Sequence, residues 1–175
     1  MPDVQDSSLS FSLRPADTGD EEFLFQLFAE SQVQLALLRP NETLWRSLVD
    51  MQYRGRKMTY AQLYAAAVNS ILCLASDGGD EIPVGRILVD QRPGCWRIVD
   101  IAVLAAARGK GVGGWAIKQC IAESAAAGAR LELRVEPGNP ARRLYERLGF
   151  QAVSEDAMNV EMACCSQPTP PQSPA

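Results

Sequence analysis

The chain has 175 residues, 47% hydrophobic and 22% charged, which is ordinary for a globular protein and enough for one domain with a real core. Its 17 basic and 21 acidic residues leave a net charge of −4, a poor balance for a general nucleic-acid binder. It has no histidine, which excludes Ser-His-Asp and Cys-His catalysis and every His-containing metal site, and no metal is expected.

In chain order, residues 1–10 are polar and read as a disordered tail. They have neither the basic start nor the apolar core of a signal peptide, and no apolar run is long enough to span a membrane. Residues 11–14 form a short strand that ends at Pro15. Asp17 and Asp20 offer a helix cap, and residues 21–31 follow with Phe23, Leu24, Leu27 and Phe28 on one face. Leu35, Leu37 and Leu38 are apolar, but Arg39-Pro40-Asn41 breaks their pattern. Residues 43–57 read as a second helix weakened by Gly55, and the Ala-rich residues 59–69 as a third. Residues 71–75 and 82–89 are strands joined by a turn over 77–80, a hairpin. Residues 91–94 turn again.

Residues 98–128 organise the chain. Ile98, Val99, Ile101 and Val103 suit a strand buried on both faces. Gly109, Gly111, Gly113 and Gly114 predict an irregular turn whose backbone comes close to a ligand without Cβ atoms in the way. From Trp115 the pattern is helical, with Ala116, Ile117, Cys120, Ile121 and Ser124 at mixed three- and four-residue spacing and Gly128 as a stop. The free N–H groups and positive dipole end of that helix meet Arg108 and Lys110 at the glycine turn, which makes a phosphate or pyrophosphate site.

Leu131, Leu133 and Val135 then alternate with Glu132 and Arg134 in a strand with one polar face. Asn139 and Pro140 open a helix with Ala141, Leu144, Tyr145 and Leu148 on one stripe, and Gly149 ends it. Residues 150–153 and 158–162 are two further strands, and 164–175 read as a disordered tail rich in Pro, Ser and Gln. Cys73, Cys95, Cys120, Cys164 and Cys165 show no C-x-x-C spacing, so a reducing, cytoplasmic setting is expected.

Gly109-x-Gly111-x-x-Gly114 formally matches the dinucleotide fingerprint, with Glu136 near the place of its acidic partner. The motif follows hairpin strands rather than a first strand, and too little chain remains for the other βαβ units. A Walker A loop is excluded because Gly-Lys-Ser/Thr is absent. Arg108-Gly-Lys-Gly111-Val-Gly113 instead resembles the R/Q-x-x-G-x-G/A pyrophosphate loop of the GNAT superfamily of acyl-CoA-dependent N-acyltransferases. Asp100-Ile-Ala-Val103 looks like the ending of that family's central strand, and Leu13-Arg-Pro-Ala-Asp17 like its first strand. Asn139-Pro-Ala-Arg-Arg-Leu-Tyr145-Glu-Arg-Leu-Gly-Phe150 is similar to its second signature, apart from Ala141 lying one place early.

The resemblance covers residues 11–163 and implies a single α/β (α+β) domain with a mixed, splayed sheet of about seven strands flanked by helices. It implies acetyl-CoA as acyl donor in the splay, with the backbone of Ile101, Ala102 and Val103 pairing with the pantetheine arm. Arg108, Gly109, Lys110, Gly111, Val112, Gly113 and Gly114 would hold the pyrophosphate. Asn139, a helix cap under either reading, would also reach the cofactor arm; Arg142 would approach the adenine side or stay solvated. Tyr145 would protonate the leaving thiolate, or merely pack in the core. Asp100 would serve as base, directly or through water, or pair with Arg86 or Arg97; Glu136 is a second candidate base. Trp115 departs from the family pattern, and either crowds the adenine side or enters a subunit contact, which leaves a homodimer open. Residues 42–69 and the last hairpin would recognise the acceptor, a small-molecule or protein amine, with Tyr53, Tyr60 and Tyr64 lining its pocket or packing helices on the sheet. Two other classes stay open: a non-catalytic acyl-CoA-binding module on the same fold, and a dinucleotide-dependent enzyme.

Overall fold

A computed structural model describes residues 10–32, 34–35, 39–75 and 81–164. Both proposed tails, except Ser10 and Cys164, lie outside the described residues, as do Leu37, Leu38 and the turn over 77–80. Among the described residues, seven strands form one mixed sheet in the order β1-β2-β3-β4-β5-β7-β6. The strands are β1 (Phe11–Pro15), β2 (Val68–Ala75), β3 (Glu81–Arg92), β4 (Cys95–Val103), β5 (Arg130–Val135), β6 (Gln151–Glu155) and β7 (Val160–Cys164). The helices are α1 (Glu21–Ser31), α2 (Glu42–Leu63), α3 (Val112–Ala126) and α4 (Ala141–Arg147). The implied fold is therefore present. β7 also takes in Cys164, at which the sequence pattern begins the tail.

Every pairing is antiparallel except β4 with β5, whose parallel alignment needs the α3 crossover. Leu131, Leu133 and Val135 sink into the core while Glu132 and Arg134 stay on the polar face, where Arg97 pairs with Glu132 at 3.2 Å and Glu161 at 3.4 Å. The core lies between the sheet and α3, around Val112, Ala116, Ile117, Leu131, Leu133 and Met162.

Three departures from the sequence expectations matter. The second and third helices are one, α2, capped by Asn41, whose side chain accepts from Leu44 N–H at 3.1 Å. Gly55 lies inside it; an internal glycine costs about 1 kcal/mol against alanine, too little to break 22 residues of helix. Its end comes at Leu63, because Val68 and Asn69 pair with Val89 and Leu88 as the start of β2. Helix α3 begins at Val112, not Trp115, so Gly113 and Gly114 are helical and only Gly109 and Gly111 are left-handed, at φ +76° and +89°. Finally, β4 is not buried on both faces: only Ile98 is buried, and its C-terminal half is open to cavities on each side.

That opening has a cause in the register. Leu88 pairs with Asp100 but Val89 with Ile98, so Val99 is an extra residue on β4, a β-bulge. Pairing with β5 runs from Cys95↔Arg130 to Ile98↔Leu133 and stops there. Bulge and splay thus coincide. Beyond them, Asp100 and Ala102 face α1 and α2, while Ile101 and Val103 face α3 and α4.

Candidate active site

On the α3 side, the chain leaves β4 through a 3-10 turn at Ala105–Ala107 and reaches α3 through residues 108–111. Buried Val112 anchors the loop in the core. The first intrahelical bond runs from Trp115 N–H to Gly111 O at 2.9 Å, so the N–H groups of Val112, Gly113 and Gly114 have no acceptor within the helix, and no side chain caps them. They edge a groove of about 450 Å³ walled by Ile101, Val103, Leu144, Tyr145 and Arg147. A Cβ on Gly113 would lie 3.7 Å from Val103, and one on Gly114 3.6 Å from Leu144. Both distances are ordinary contacts, and the missing side chains leave the amides accessible. Left-handed turns, uncapped amides and a positive dipole end together fit a pyrophosphate.

The edge of β4 that β5 vacates offers backbone partners. Leu104 N–H donates to Val84 O at 2.9 Å, so ladder alternation points the amides and carbonyls of Ala102 and Asp100 toward β3. Those of Ile101 and Val103 point outward. Ala102, expected to pair with a pantetheine arm, is therefore turned away from it. Arg108 Nε donates to Val103 O at 2.9 Å, which sets its guanidinium at the mouth of the groove.

The other predicted donor-side residues divide. Asn139 Oδ1 accepts from Ala141 N–H at 2.9 Å, and Pro140 is already helical at φ −56° and ψ −24°, so the capping expectation holds; the Asn139 side also lines the splay. Lys110 is exposed and does not line the groove. Nor does Arg142, which is engaged by Glu146 at 3.1 Å and Glu155 at 3.2 Å. Arg147 takes the groove position instead; it follows Ala141 and Leu144 at three-residue spacing, a signal present in the sequence. Trp115 packs at 5.7 Å against Phe11 of β1, inside the chain.

Across the sheet, α1, α2 and β4 enclose a cavity of about 340 Å³. Both Asp100 oxygens are taken there: Oδ1 accepts from Arg56 Nη2 at 2.5 Å and Oδ2 from Arg86 Nη1 at 3.2 Å. Arg86 is the partner the sequence offered; Arg97 is committed to the β5–β7 face, and Arg56 was not foreseen. Arg56 Nε donates to the Tyr60 hydroxyl at 2.8 Å and Arg86 Nε to Asn69 Oδ1 at 2.7 Å. The two guanidiniums lie 5.1 and 5.6 Å from the centre of the Tyr60 ring, and Phe28 backs Arg56 at 5.5 Å. Tyr53 and Tyr60 line the cavity, while Tyr64 packs on Tyr60 at 6.3 Å. Burial, then the Asp100 carboxylate, raises the Tyr60 phenol above its ordinary range.

The splay joins the two sides. Its space of about 330 Å³ is lined by Ile98, Asp100, Ile101, Glu136, Asn139 and Tyr145, among others. Asp100 also lines the α1–α2 cavity, and Ile101 and Tyr145 also line the groove. Tyr145 is 8% exposed and packs edge-on against Phe150 at 6.0 Å. Burial foremost, and the Asp100 charge second, pushes its phenol up. The Tyr145 ring belongs to the core, and the residue also borders the junction. Among the described residues no group of three or more His, Cys, Asp or Glu is placed to hold a metal ion, and no helix is long and apolar enough to cross a membrane.

The family described as acetyltransferase (GNAT) matches residues 37–150. No curated protein sequence matches. Among solved structures, the PaiA N-acetyltransferase of Thermoplasma acidophilum, in complex with coenzyme A, has TM-score 0.65 at 17% identity and covers 89% of this chain and 98% of its own. The ribosomal-protein-S18-alanine N-acetyltransferase of Escherichia coli has TM-score 0.60 at 16% identity, covering 89% and 93%. A histone acetyltransferase HPA2-related structure from Corynebacterium glutamicum has TM-score 0.58 at 22% identity, covering 91% and 99%. At these identities the structures attest the fold alone, and the family match carries the chemistry. Glycine loop, splayed β4–β5 pair and family match agree: the chain belongs to the GNAT family of acetyltransferases, and it is an acyltransferase that uses an acyl-CoA donor.

Proposed function

We propose that the protein transfers the acetyl group of acetyl-CoA to a primary amine by direct attack. The observation that carries this reading is the splay beyond Ile98 and Leu133, which lies between a phosphate-fitting groove on one sheet face and a cavity holding Arg56, Arg86 and Asp100 on the other. Acetyl-CoA supplies an activated thioester. The amides of Val112, Gly113 and Gly114 and the loop at Gly109 and Gly111 hold its pyrophosphate, and the outward backbone groups of Ile101 and Val103 align its arm.

The amine enters from the α1–α2 side and attacks the carbonyl carbon at the junction. The C–N bond forms, the C–S bond breaks, and the departing thiolate takes the Tyr145 proton. A phenol raised above its ordinary value is a weak acid against a thiol near about 8.5, but the thiolate forms at the same half-buried junction, where burial raises both values. Asp100, with both oxygens on guanidiniums, is poorly placed to accept a proton. Water beside Glu136 at the open end of the splay is the better acceptor. The free thiols of Cys73, Cys95 and Cys120 support a reducing, cytoplasmic setting.

Thiol release from acetyl-CoA, followed over a panel of amines, tests the reading. Amine-dependent release with an acetylated product supports it. Tight acetyl-CoA binding without transfer to any amine overturns it.

A further inference from the structure

Resting on the proposed transfer, we infer that the acceptor is a small amine that also carries a carboxylate close to its nitrogen, of the amino-acid class. Arg56 and Arg86 together bind that carboxylate.

Charge comes first. Two guanidiniums face one carboxylate, Asp100, on the floor of the α1–α2 cavity, leaving one positive charge in excess there. The Arg86 side chain is only 17% exposed and that of Arg56 35%, so the excess charge is partly stripped of water and favours an anionic partner. Of the other charges in the wall, Lys57 and Glu21 match each other, while Asp17, at the exposed rim, keeps its charge. Lys57 Nζ sits 2.8 Å from both Glu21 oxygens, and Asp17 accepts from Gly19 N–H at 2.7 Å.

Geometry comes second. Each Nε is pinned, one on Tyr60 and one on Asn69, and one terminal nitrogen of each arginine is on Asp100. Arg56 Nη1 and Arg86 Nη2 have no hydrogen-bond acceptor among the described residues. The planes are further fixed by stacking on Tyr60. Two oriented, uncommitted donors form a fork that suits a carboxylate, and little rotamer freedom is lost when they bind.

Position and size complete the case. Asp100 borders the splay as well as the cavity, so a carboxylate seated beside it leaves a neighbouring amine within a few atoms of the junction. A cavity of about 340 Å³ is at the small end of the roughly 300–1,000 Å³ typical of small-molecule sites.

The test uses the full chain with saturating acetyl-CoA. Each of the common amino acids is compared with its amide and with its decarboxylated amine; spermidine and a lysine peptide complete the panel. Amino acids should be the preferred acceptors, with kcat/KM falling about a hundredfold in the matched amide and amine. Arg86→Gln and Arg56→Lys should raise KM far more than they lower kcat and shrink the acid-to-amide preference. Equal or better transfer to the amides, decarboxylated amines, spermidine or peptide overturns this inference and leaves the acetyl-transfer reading standing. If no amine is acetylated, that reading falls, and binding of the same amino acids in the presence of CoA decides the carboxylate site: saturable binding lost in Arg86→Gln supports it, and no binding overturns it.

Discussion

Ile98 of β4 lies opposite Leu133 of β5, and beyond that pair the two strands have no further register. Everything proposed for the site follows from it. Tyr145 borders the space so created, from the α4 side. Tyr145→Phe keeps the ring packing on Phe150 and removes the proton. Transfer should slow by about 10²–10⁴-fold, while acetyl-CoA affinity stays within about twofold of wild type. Because burial and the Asp100 charge raise the phenol above its ordinary value, any fall in kcat from its ionisation should set in at higher pH than for a free phenol. Rapid-quench turnover over pH 6–10 and calorimetric binding check both statements.

Gly111 sits at φ +89° immediately before α3. Gly111→Ala forces a side chain into the left-handed region at a cost of about 1–2 kcal/mol. The melting temperature should drop by several degrees, and acetyl-CoA binding should weaken about tenfold as the amide cluster shifts. Gly113→Ala is the control: its backbone is helical and its Cβ would meet Val103 only at 3.7 Å, so thermal stability should hold. Calorimetry on both variants separates strain from lost space.

Gly85 is fixed by close approach. A Cβ there would come within 2.6 Å of Ala102 O and 3.0 Å of Leu72 Cδ1. A backbone carbonyl inside the β3–β4 ladder has little room to yield, so Gly85→Ala should destabilise by about 2 kcal/mol or more. Thermal unfolding measures this. Activity should fall with it, since the displaced strand is β4.

Asp20 ties the first strand to the first helix. It accepts from Arg14 at 2.6 and 2.7 Å and from Asp17 N–H at 2.9 Å, and the Arg14 bonds hold its pKa down to about 2. The unfolded chain titrates near about 4, so the pair contributes fully above that pH. As pH falls from about 4 toward 2, the unfolded state takes up the proton first and the contribution drains away. Asp20→Asn should therefore melt several degrees below wild type at pH 7, and the gap should close between pH 4 and pH 2. Melting curves across that range decide it.

Much of the scaffold was legible because its boundaries carry local chemistry. Asp17 and Asp20 mark α1, Asn139 and Pro140 mark α4, and Gly128 and Gly149 end their helices with the left-handed backbone they uniquely tolerate. Asp100 stood out as an acid in an apolar strand. Arg86 was one of two partners it suggested, but Arg56 was not among them, because it lies 44 residues away and meets Asp100 only through the packing of α2. The bulge at Val99 was equally silent, since a β-branched residue suits a regular strand or a bulged one. Gly55 misled in the opposite direction: its cost is real, but α2 is long enough to absorb it.

The two halves of the site are not equally bound to the fold. Helix α3, behind the glycine loop, buries Val112, Ala116, Ile117, Cys120 and Ser124. In its 22 residues, α2 buries only Val49. Residues of α2 such as Tyr53, Arg56 and Tyr60 can therefore be exchanged with little disturbance to the core, whereas the glycine loop cannot. A lineage built on this scaffold is free to change the amine it recognises while keeping the donor it spends.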